Sequence, residues 1–91
     1  MAQIVWTAEA LASLATISEY VAYFHPPAAR RIYQRLLKAG ESLATFPLRG
    51  RPAGAGKREL PIVPPYVIRY AVKGDIIYIY NIRHGRQSDP G

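Results

Sequence analysis

The stretch YVIRYAVKGDIIYIYNIR, residues 66–83, decides the fold. It contains two runs rich in β-branched and aromatic residues, 66–72 and 76–83, separated by Lys73-Gly74-Asp75. Glycine and aspartate between two β-prone runs are typical of a tight hairpin turn. The stretch therefore predicts two antiparallel strands, which form the longest β-prone part of the chain.

The turn sets which side chains share a face. A two-residue turn at Gly74-Asp75 pairs residue 73 with 76, and so on down both strands. We then expect a core face that carries Tyr66, Ile68, Tyr70, Val72, Ile77 and Ile79. The opposite face would carry Val67, Arg69, Ala71, Tyr78, Tyr80, Ile82 and His84, with Arg69 directly opposite Tyr80. A three-residue turn would bring Tyr78 and Tyr80 to the core side instead.

Shorter β-prone segments lie on either side of the middle of the chain. Residues 3–6 predict a short first strand. Residues 57–63 predict another, and the prolines at 61, 64 and 65 indicate an edge or a bend there. The segment 47–56 contains three glycines and two arginines without periodicity, which predicts a loop.

Two amphipathic helices are predicted between the first strand and this loop. Thr7 is a suitable N-cap for the first helix, and His25-Pro26-Pro27 ends it. Pro27 suits the first position of the second helix. The apolar stripe of the first helix is Leu11, Leu14, Ile17, Val21 and Phe24, and that of the second is Ile32, Leu36, Ala39, Leu43 and Phe46. Their tight connection predicts an antiparallel helical hairpin that packs on a sheet.

Length and composition limit the possible functions. Ninety-one residues predict a single domain, 1–91, with residues 87–91 as a polar, flexible tail. The absence of cysteine excludes a disulfide framework and thiolate metal ligands. We expect a cytoplasmic protein, because residues 1–6 lack the features of a signal peptide and no apolar run approaches the roughly 18 residues of a membrane span.

The charge is concentrated in the second half of the chain. Residues 1–48 carry four basic and three acidic side chains, whereas residues 49–91 carry eight basic and three acidic ones. A localised positive field attracts phosphate backbones or acidic protein surfaces. This pattern leaves a simple nucleic-acid-binding domain as one possible function.

Some residues of the late strands have the chemistry of a metal-independent ribonuclease. Such an enzyme needs a base for the 2′-hydroxyl, cations for the phosphate and an acid for the leaving oxygen. The residues that could supply this set are Glu59, Arg69, Arg83, His84 and Arg86. On residue types alone, ordinary structural and solvated roles are favoured. The two histidines lack metal-ligand spacing, so we expect neither a metal nor a cofactor.

Short motifs spread over the chain resemble the ParE/RelE toxins of type II toxin–antitoxin, or plasmid stabilisation, systems. They are Trp6-Thr7, Phe46-Pro47, Gly50-Arg51-Pro52, Arg58-Glu59-Leu60, Pro65-Tyr66-Val67-Ile68 with Tyr70, and His84-Gly85-Arg86. The resemblance implies an α+β domain of order β-α-α-β-β-β, with an antiparallel twisted sheet packed by a helical hairpin. It also implies a cognate, acidic antitoxin, and contact with operator DNA only through the antitoxin complex.

The family divides by target. RelE-like members cut messenger RNA on the ribosome, and ParE-like members inhibit DNA gyrase without established catalytic residues. Val67, Gly85 and Arg86 stand where RelE-like nucleases tend to carry an arginine and a terminal Tyr or His. We therefore expect a ParE-like gyrase inhibitor, with a RelE-like nuclease as the alternative. The expected target-binding residues are Arg58, Arg69, Tyr80, Arg83, His84 and Arg86, and the expected antitoxin-binding residues are Leu11, Leu14, Tyr33 and Leu37.

Overall fold

A five-stranded sheet and a pair of helices form the fold in the computed structural model, which describes residues 1–85. The strands are β1 (Gln3–Trp6), β2 (Arg51–Pro52), β3 (Lys57–Val63), β4 (Tyr66–Lys73) and β5 (Ile76–His84). The helices are α1 (Ala8–Phe24) and α2 (Pro26–Glu41), followed by a 3-10 turn (Ser42–Ala44). The predicted α+β class and the order of the main elements are confirmed. The expected tail, 87–91, lies outside the described residues.

The strands are arranged in the order β1-β5-β4-β3-β2. Strands β3, β4 and β5 are antiparallel, as predicted. Strand β1 instead pairs with β5 in parallel, so the sheet as a whole is mixed. Two parallel strands need a long connection between them. In this chain the helical hairpin forms the first part of the connection from β1 to β5. Strand β2 is a two-residue strand inside the segment that was predicted to be a loop.

The core lies between the two helices and one face of the sheet. Its largest fully buried side chains are Tyr70, Leu14, Leu36, Leu43, Ile68, Ile77 and Ile79. Full burial of each aliphatic side chain stabilises the fold by about 1.5–3 kcal/mol. This face of the sheet is called the helix side below, and the opposite face is called the open face.

The hairpin register agrees with the prediction near the turn and departs from it further along. Lys73 pairs with Ile76 and Tyr70 with Ile79, as a two-residue turn requires. A register shift next to Arg69 then leaves one extra residue, Tyr80, in β5. An extra residue reverses the facing of every later side chain.

The predicted pairing of Arg69 with Tyr80 is therefore wrong, since Arg69 pairs with Asn81. The same reversal turns Ile82 to the helix side, where it is 6% exposed, although it was expected on the opposite face. His84 follows Ile82 by two residues and also lies on the helix side. The bulge is thus a local change that rearranges the end of β5.

Side-chain caps fix the ends of the helices. The Oγ1 of Thr7 accepts a hydrogen bond from the Ala10 N–H at 3.1 Å, as predicted for an N-cap. His25 alone connects the helices, and its Nδ1 accepts from the Ala28 N–H at 3.1 Å. Helix α2 accordingly begins at Pro26, one residue before the predicted start. Neither helix is long and apolar enough to cross a bilayer, within residues 1–85.

The apolar stripes are buried in their middle and exposed at their ends. Leu14 and Leu36 are buried, as the periodicity indicated. Leu11, Phe24 and Phe46 were also placed in these stripes, but they are 52%, 68% and 61% exposed. For Leu11 and Phe24, helical periodicity identifies a face but does not determine how much of that face the sheet covers. Phe46 was wrongly assigned to the second helix, because α2 ends at Glu41 and the 3-10 turn ends at Ala44.

Candidate functional site

A cluster of charged and aromatic side chains lies on the open face, where strands β3, β4 and β5 pass side by side. Leu60 of β3 is buried in the core, so Glu59 points to the opposite face, because successive side chains of a strand alternate. Arg69 is directly across from Glu59 on β4. The bulge in β5 brings Arg83 to the same face. We call Arg51, Glu59, Arg69 and Arg83 the arginine–glutamate cluster.

Glu59 is the centre of this cluster. Its Oε2 lies 3.3 Å from Arg83 Nη2 and 3.5 Å from Arg69 Nε, and its Oε1 lies 3.5 Å from Arg51 Nη2. The Glu59 side chain is only 13% exposed, and those of Arg69 and Arg83 are 22% and 18% exposed. Three guanidinium groups and one carboxylate leave the cluster with a net charge of +2.

Tyr80 lies beside the cluster. Lys57 Nζ and Arg69 Cζ each lie 5.3 Å from the centre of its ring, within the range of cation–π attraction. Two buried polar atoms at the bulge, Tyr80 Oη and Asn81 Oδ1, have no hydrogen-bond partner in the part of the chain that the structure describes. Buried polar atoms normally have such partners, so this part of the open face is a candidate binding site.

His84 lies on the other side of the sheet. Its ring packs edge-on against Tyr66, with 5.8 Å between the ring centres. Both line a groove of about 700 Å³ between α1 and the ends of β4 and β5, together with Glu9, Ala12, Ser13, Thr16, Ile17, Tyr20, Pro65 and Ile82. Burial raises the pKa of the Tyr66 phenol, and the nearby Tyr20 adds to this effect.

The five residues with nuclease chemistry are therefore not assembled into one site. Glu59, Arg69 and Arg83 lie together on the open face, whereas His84 faces the groove beside α1. Arg86 lies outside the described residues. The alternation after the bulge explains the separation, because Arg83 and His84 are neighbours in a strand and must face opposite ways.

Arg58 also lies apart from the cluster. It pairs across the strands with Tyr70, a core residue, and so belongs to the helix side. Its Nη1 donates hydrogen bonds to the carbonyl oxygens of Gly50, at 2.7 Å, and Leu48, at 3.4 Å. Of the six expected target-binding residues, Arg58 thus holds a loop, and Arg69, Tyr80 and Arg83 share the open face.

Two residues of the open face were missed by the sequence analysis. Lys57 precedes Glu59 by two positions, so strand alternation would have placed it on the same face. Arg51 reaches Glu59 because β2 pairs with β3, with Arg51 opposite Glu59. Nothing in the glycine-rich segment 47–56 indicated a strand, so Arg51 gave no usable signal.

The four expected antitoxin-binding residues differ in exposure. Leu14 is 2% exposed in the core, so it is unavailable to a partner, and that assignment is corrected. Leu11 and Tyr33 are 52% and 39% exposed, and Leu37 is half-buried against the core. A further exposed aromatic cluster at the end of α1 was missed; it consists of Tyr20, Tyr23 and Phe24, whose rings pack edge-on.

Comparison with known proteins gives consistent matches over nearly the whole chain. The family model described as the ParE toxin of the type II toxin–antitoxin system parDE matches residues 4–89. A protein of Caulobacter vibrioides named Toxin RelE2 is 54% identical over 84 residues, which cover 92% of this chain and 96% of that protein. A Putative toxin Y4kP of Sinorhizobium fredii is 36% identical over 87 residues, covering 93% of this chain and 90% of that protein.

A solved structure shares the fold. It is described as the chromosomal ParDE TA system from P. aeruginosa and superposes with a TM-score of 0.82 at 27% sequence identity. The match covers 92% of this chain and 96% of the other one.

Proposed function

Because this chain belongs to the family of ParE toxins of type II toxin–antitoxin systems, we propose that it inhibits DNA gyrase without cutting nucleic acid. Membership of the family makes the chain the toxin of a pair with a cognate antitoxin. We propose further that the chain acts in the cytoplasm, because a gyrase inhibitor requires that location. We also propose that its antitoxin is acidic.

The observation that supports inhibition without cleavage is the separation of His84 from Arg69 and Arg83. A general acid or base must lie within about 3 Å of the group whose proton it transfers, or reach it through one water. A phosphate held by Arg69 and Arg83 on the open face would have the sheet between it and the His84 imidazole. This geometry favours binding over acid–base catalysis.

A second candidate function is RelE-like cleavage of messenger RNA on the ribosome. It is favoured by the relative named Toxin RelE2, at 54% identity, and by Glu59 beside two arginines. In such a nuclease Glu59 would be the base and the arginines would stabilise the phosphate.

Two assays run in parallel test the proposal. Purified chain is added to gyrase with relaxed plasmid and ATP, and separately to ribosomes that translate a defined messenger RNA. We expect loss of supercoiling, or trapped cleaved plasmid, in the first assay and intact messenger RNA in the second. Codon-phased cuts that disappear in Glu59→Gln or His84→Ala would overturn the proposal in favour of the nuclease.

Arginine variants then connect the activity to the open face. Arg69→Ala and Arg83→Ala should weaken gyrase inhibition, whereas Arg30→Ala, an exposed arginine on α2, provides a control of equal charge. Full inhibition by both open-face variants would place the target-binding surface elsewhere.

We also propose that an acidic antitoxin binds the exposed part of the helical hairpin, and that operator DNA is contacted only through the complex of the two proteins. The isolated chain should therefore bind operator duplex no better than unrelated duplex. Selective operator binding by the chain alone, with no antitoxin encoded beside it, would instead indicate a simple nucleic-acid-binding domain.

A further inference from the structure

Glu59 occupies a position among three arginines that an anion from outside the chain could fill. Each of its two oxygens lies within 3.5 Å of at least one guanidinium nitrogen. We propose that the arginine–glutamate cluster is a binding site for one phosphodiester group of a nucleic acid, and that the Glu59 carboxylate blocks this site until the phosphodiester displaces it.

The chemical match between the two anions is close. A carboxylate and a phosphodiester each present two outer oxygens that share one negative charge. Arginine binds both groups through the same paired N–H donors. A set of guanidinium groups that holds the Glu59 carboxylate is therefore already arranged for the two outer oxygens of a phosphodiester.

The charge of the cluster favours the exchange. Glu59 neutralises one of the three guanidinium charges, and the remaining +2 attracts a second anion. The Arg51 side chain is 62% exposed, so the cluster is open to solvent on the side where Arg51 lies. In the proposed exchange a phosphate approaches from this side, and the Glu59 side chain rotates outwards from the strand.

The bulge supplies a second, independent observation. Tyr80 Oη is buried without a hydrogen-bond partner among residues 1–85, and the Tyr80 ring lies next to Arg69. This hydroxyl is able to donate a hydrogen bond to a phosphate oxygen. The Tyr80 ring is also a flat aromatic surface beside the proposed phosphate. Basic groups together with an aromatic ring are the usual combination for a backbone phosphate and its attached base.

Phosphodiester binding by the arginine–glutamate cluster does not depend on gyrase inhibition. A nucleic acid bound to gyrase or to a ribosome carries the same phosphodiester group. Binding to isolated oligonucleotides tests it directly, so its failure can be distinguished from failure of the gyrase proposal.

The test measures binding of the full chain to labelled oligonucleotides by fluorescence polarisation, with a 12-nucleotide RNA and a 12-base-pair DNA duplex as probes. Glu59→Gln keeps the shape of the side chain and removes its charge. We expect it to bind one or both probes about tenfold more tightly than the unaltered chain at low salt. The slope of log affinity against log salt concentration should become steeper by the amount that one additional phosphate contact contributes. Glu19→Gln, on the exposed surface of α1, makes the same change in net charge and is the control.

The two probes separate the sources of the phosphate. A larger gain with RNA assigns the site to RNA, and a larger gain with duplex assigns it to DNA. If Glu59→Gln gains no more than Glu19→Gln while circular dichroism shows the unaltered fold, the proposal is overturned.

A second set of variants decides the matter if Glu59→Gln does not fold. Arg69→Gln and Arg83→Gln should each lower the affinity for the better probe at least threefold more than Arg30→Gln. Equal losses in all three variants would show that binding follows net charge alone, and this too would overturn the proposal.

Discussion

The hydroxyl of Tyr70 accepts a hydrogen bond from the backbone N–H of Gly50 at 2.9 Å. The same hydroxyl donates to the carbonyl oxygen of Pro47 at 2.8 Å, so one buried side chain of β4 holds both ends of a four-residue loop segment. A Cβ on Gly50 would lie 2.6 Å from this hydroxyl, which explains why glycine stands there. The loop leads directly into Arg51, so Tyr70 also fixes where that arginine meets Glu59.

Replacement of Tyr70 by phenylalanine should therefore lower the free energy of unfolding by about 1–3 kcal/mol, because the buried Gly50 N–H and the part-buried Pro47 carbonyl lose this partner. Tyr33→Phe, at a 39% exposed tyrosine, should change it by less than about 0.5 kcal/mol. Urea denaturation followed by circular dichroism measures both. Equal stability of the two variants would contradict the importance of the Tyr70 contacts.

Alkaline pH should destabilise the fold through the same residue. Burial raises the pKa of the Tyr70 phenol, outweighing the Gly50 N–H and the positive charge of Arg58, which lower it. Above pH of about 10, the usual tyrosine pKa, the unfolded chain loses this proton while the folded chain keeps it. The free energy of unfolding then falls as pH rises, since the folded state binds more protons. The fall between pH 9 and 11, measured by denaturation at each pH, should be smaller in Tyr70→Phe. An equal fall in both proteins would contradict the assignment.

Thr7 connects the start of α1 to the sheet. Its Oγ1 accepts from Ala10 N–H and lies 3.0 Å from the carbonyl oxygen of Ile79, to which it donates. Thr7→Val removes both contacts at nearly constant shape and should destabilise the fold by about 1–2 kcal/mol. Thr7→Ser keeps the hydroxyl and should retain most of the stability. Thermal unfolding compares the two variants, and a Thr7→Val protein as stable as Thr7→Ser would be the contrary result.

Most of the fold could be predicted from the sequence because each element is encoded locally. The turn at Gly74 fixes the register of the last hairpin as far as Tyr70 and Ile79. The extra residue at Tyr80 could not be predicted, since tyrosine, asparagine and isoleucine fit a regular strand as well as a bulged one. That single residue decides on which side of the sheet His84 lies, so the error in the register became an error in the site.

The sequence predicted those parts of the candidate site that depend on the alternation of side chains along one strand. It did not predict the part that depends on pairing between strands distant in sequence. Arg69 and Glu59 could be assigned to strands from their neighbours. Arg51 could not, because its strand has two residues and exists only through pairing with β3. The ionic contacts of Glu59 with three arginines follow from this three-strand arrangement and have no signature in the local sequence.

His25 should be a measurable cap because it is the one residue between the two helices. Its Nδ1 accepts at 3.1 Å from the Ala28 N–H, which is shared with the His25 carbonyl oxygen at 3.0 Å. His25→Ala should destabilise the fold by about 1 kcal/mol, and His25→Asn should restore most of the loss, because asparagine also accepts at this position. Chemical denaturation of the three proteins is the measurement. Asparagine no better than alanine would show that the imidazole does not act as a cap.

Leu11 and Leu14 should separate antitoxin binding from folding. Leu14 is 2% exposed in the core, so Leu14→Ala should lower the free energy of unfolding by about 2–5 kcal/mol. Leu11 is 52% exposed, so Leu11→Ala should change it by no more than about 0.5 kcal/mol.

If the antitoxin covers the hairpin surface, Leu11→Ala should still weaken the complex severalfold, because a side chain buried at the centre of an interface carries much of the binding energy. Calorimetric titration with the cognate antitoxin measures this, with Ala15, an exposed residue of α1, changed to serine as the control. Unchanged affinity in Leu11→Ala and in Tyr33→Ala would place the antitoxin on another surface, of which the exposed cluster of Tyr20, Tyr23 and Phe24 is the next to test.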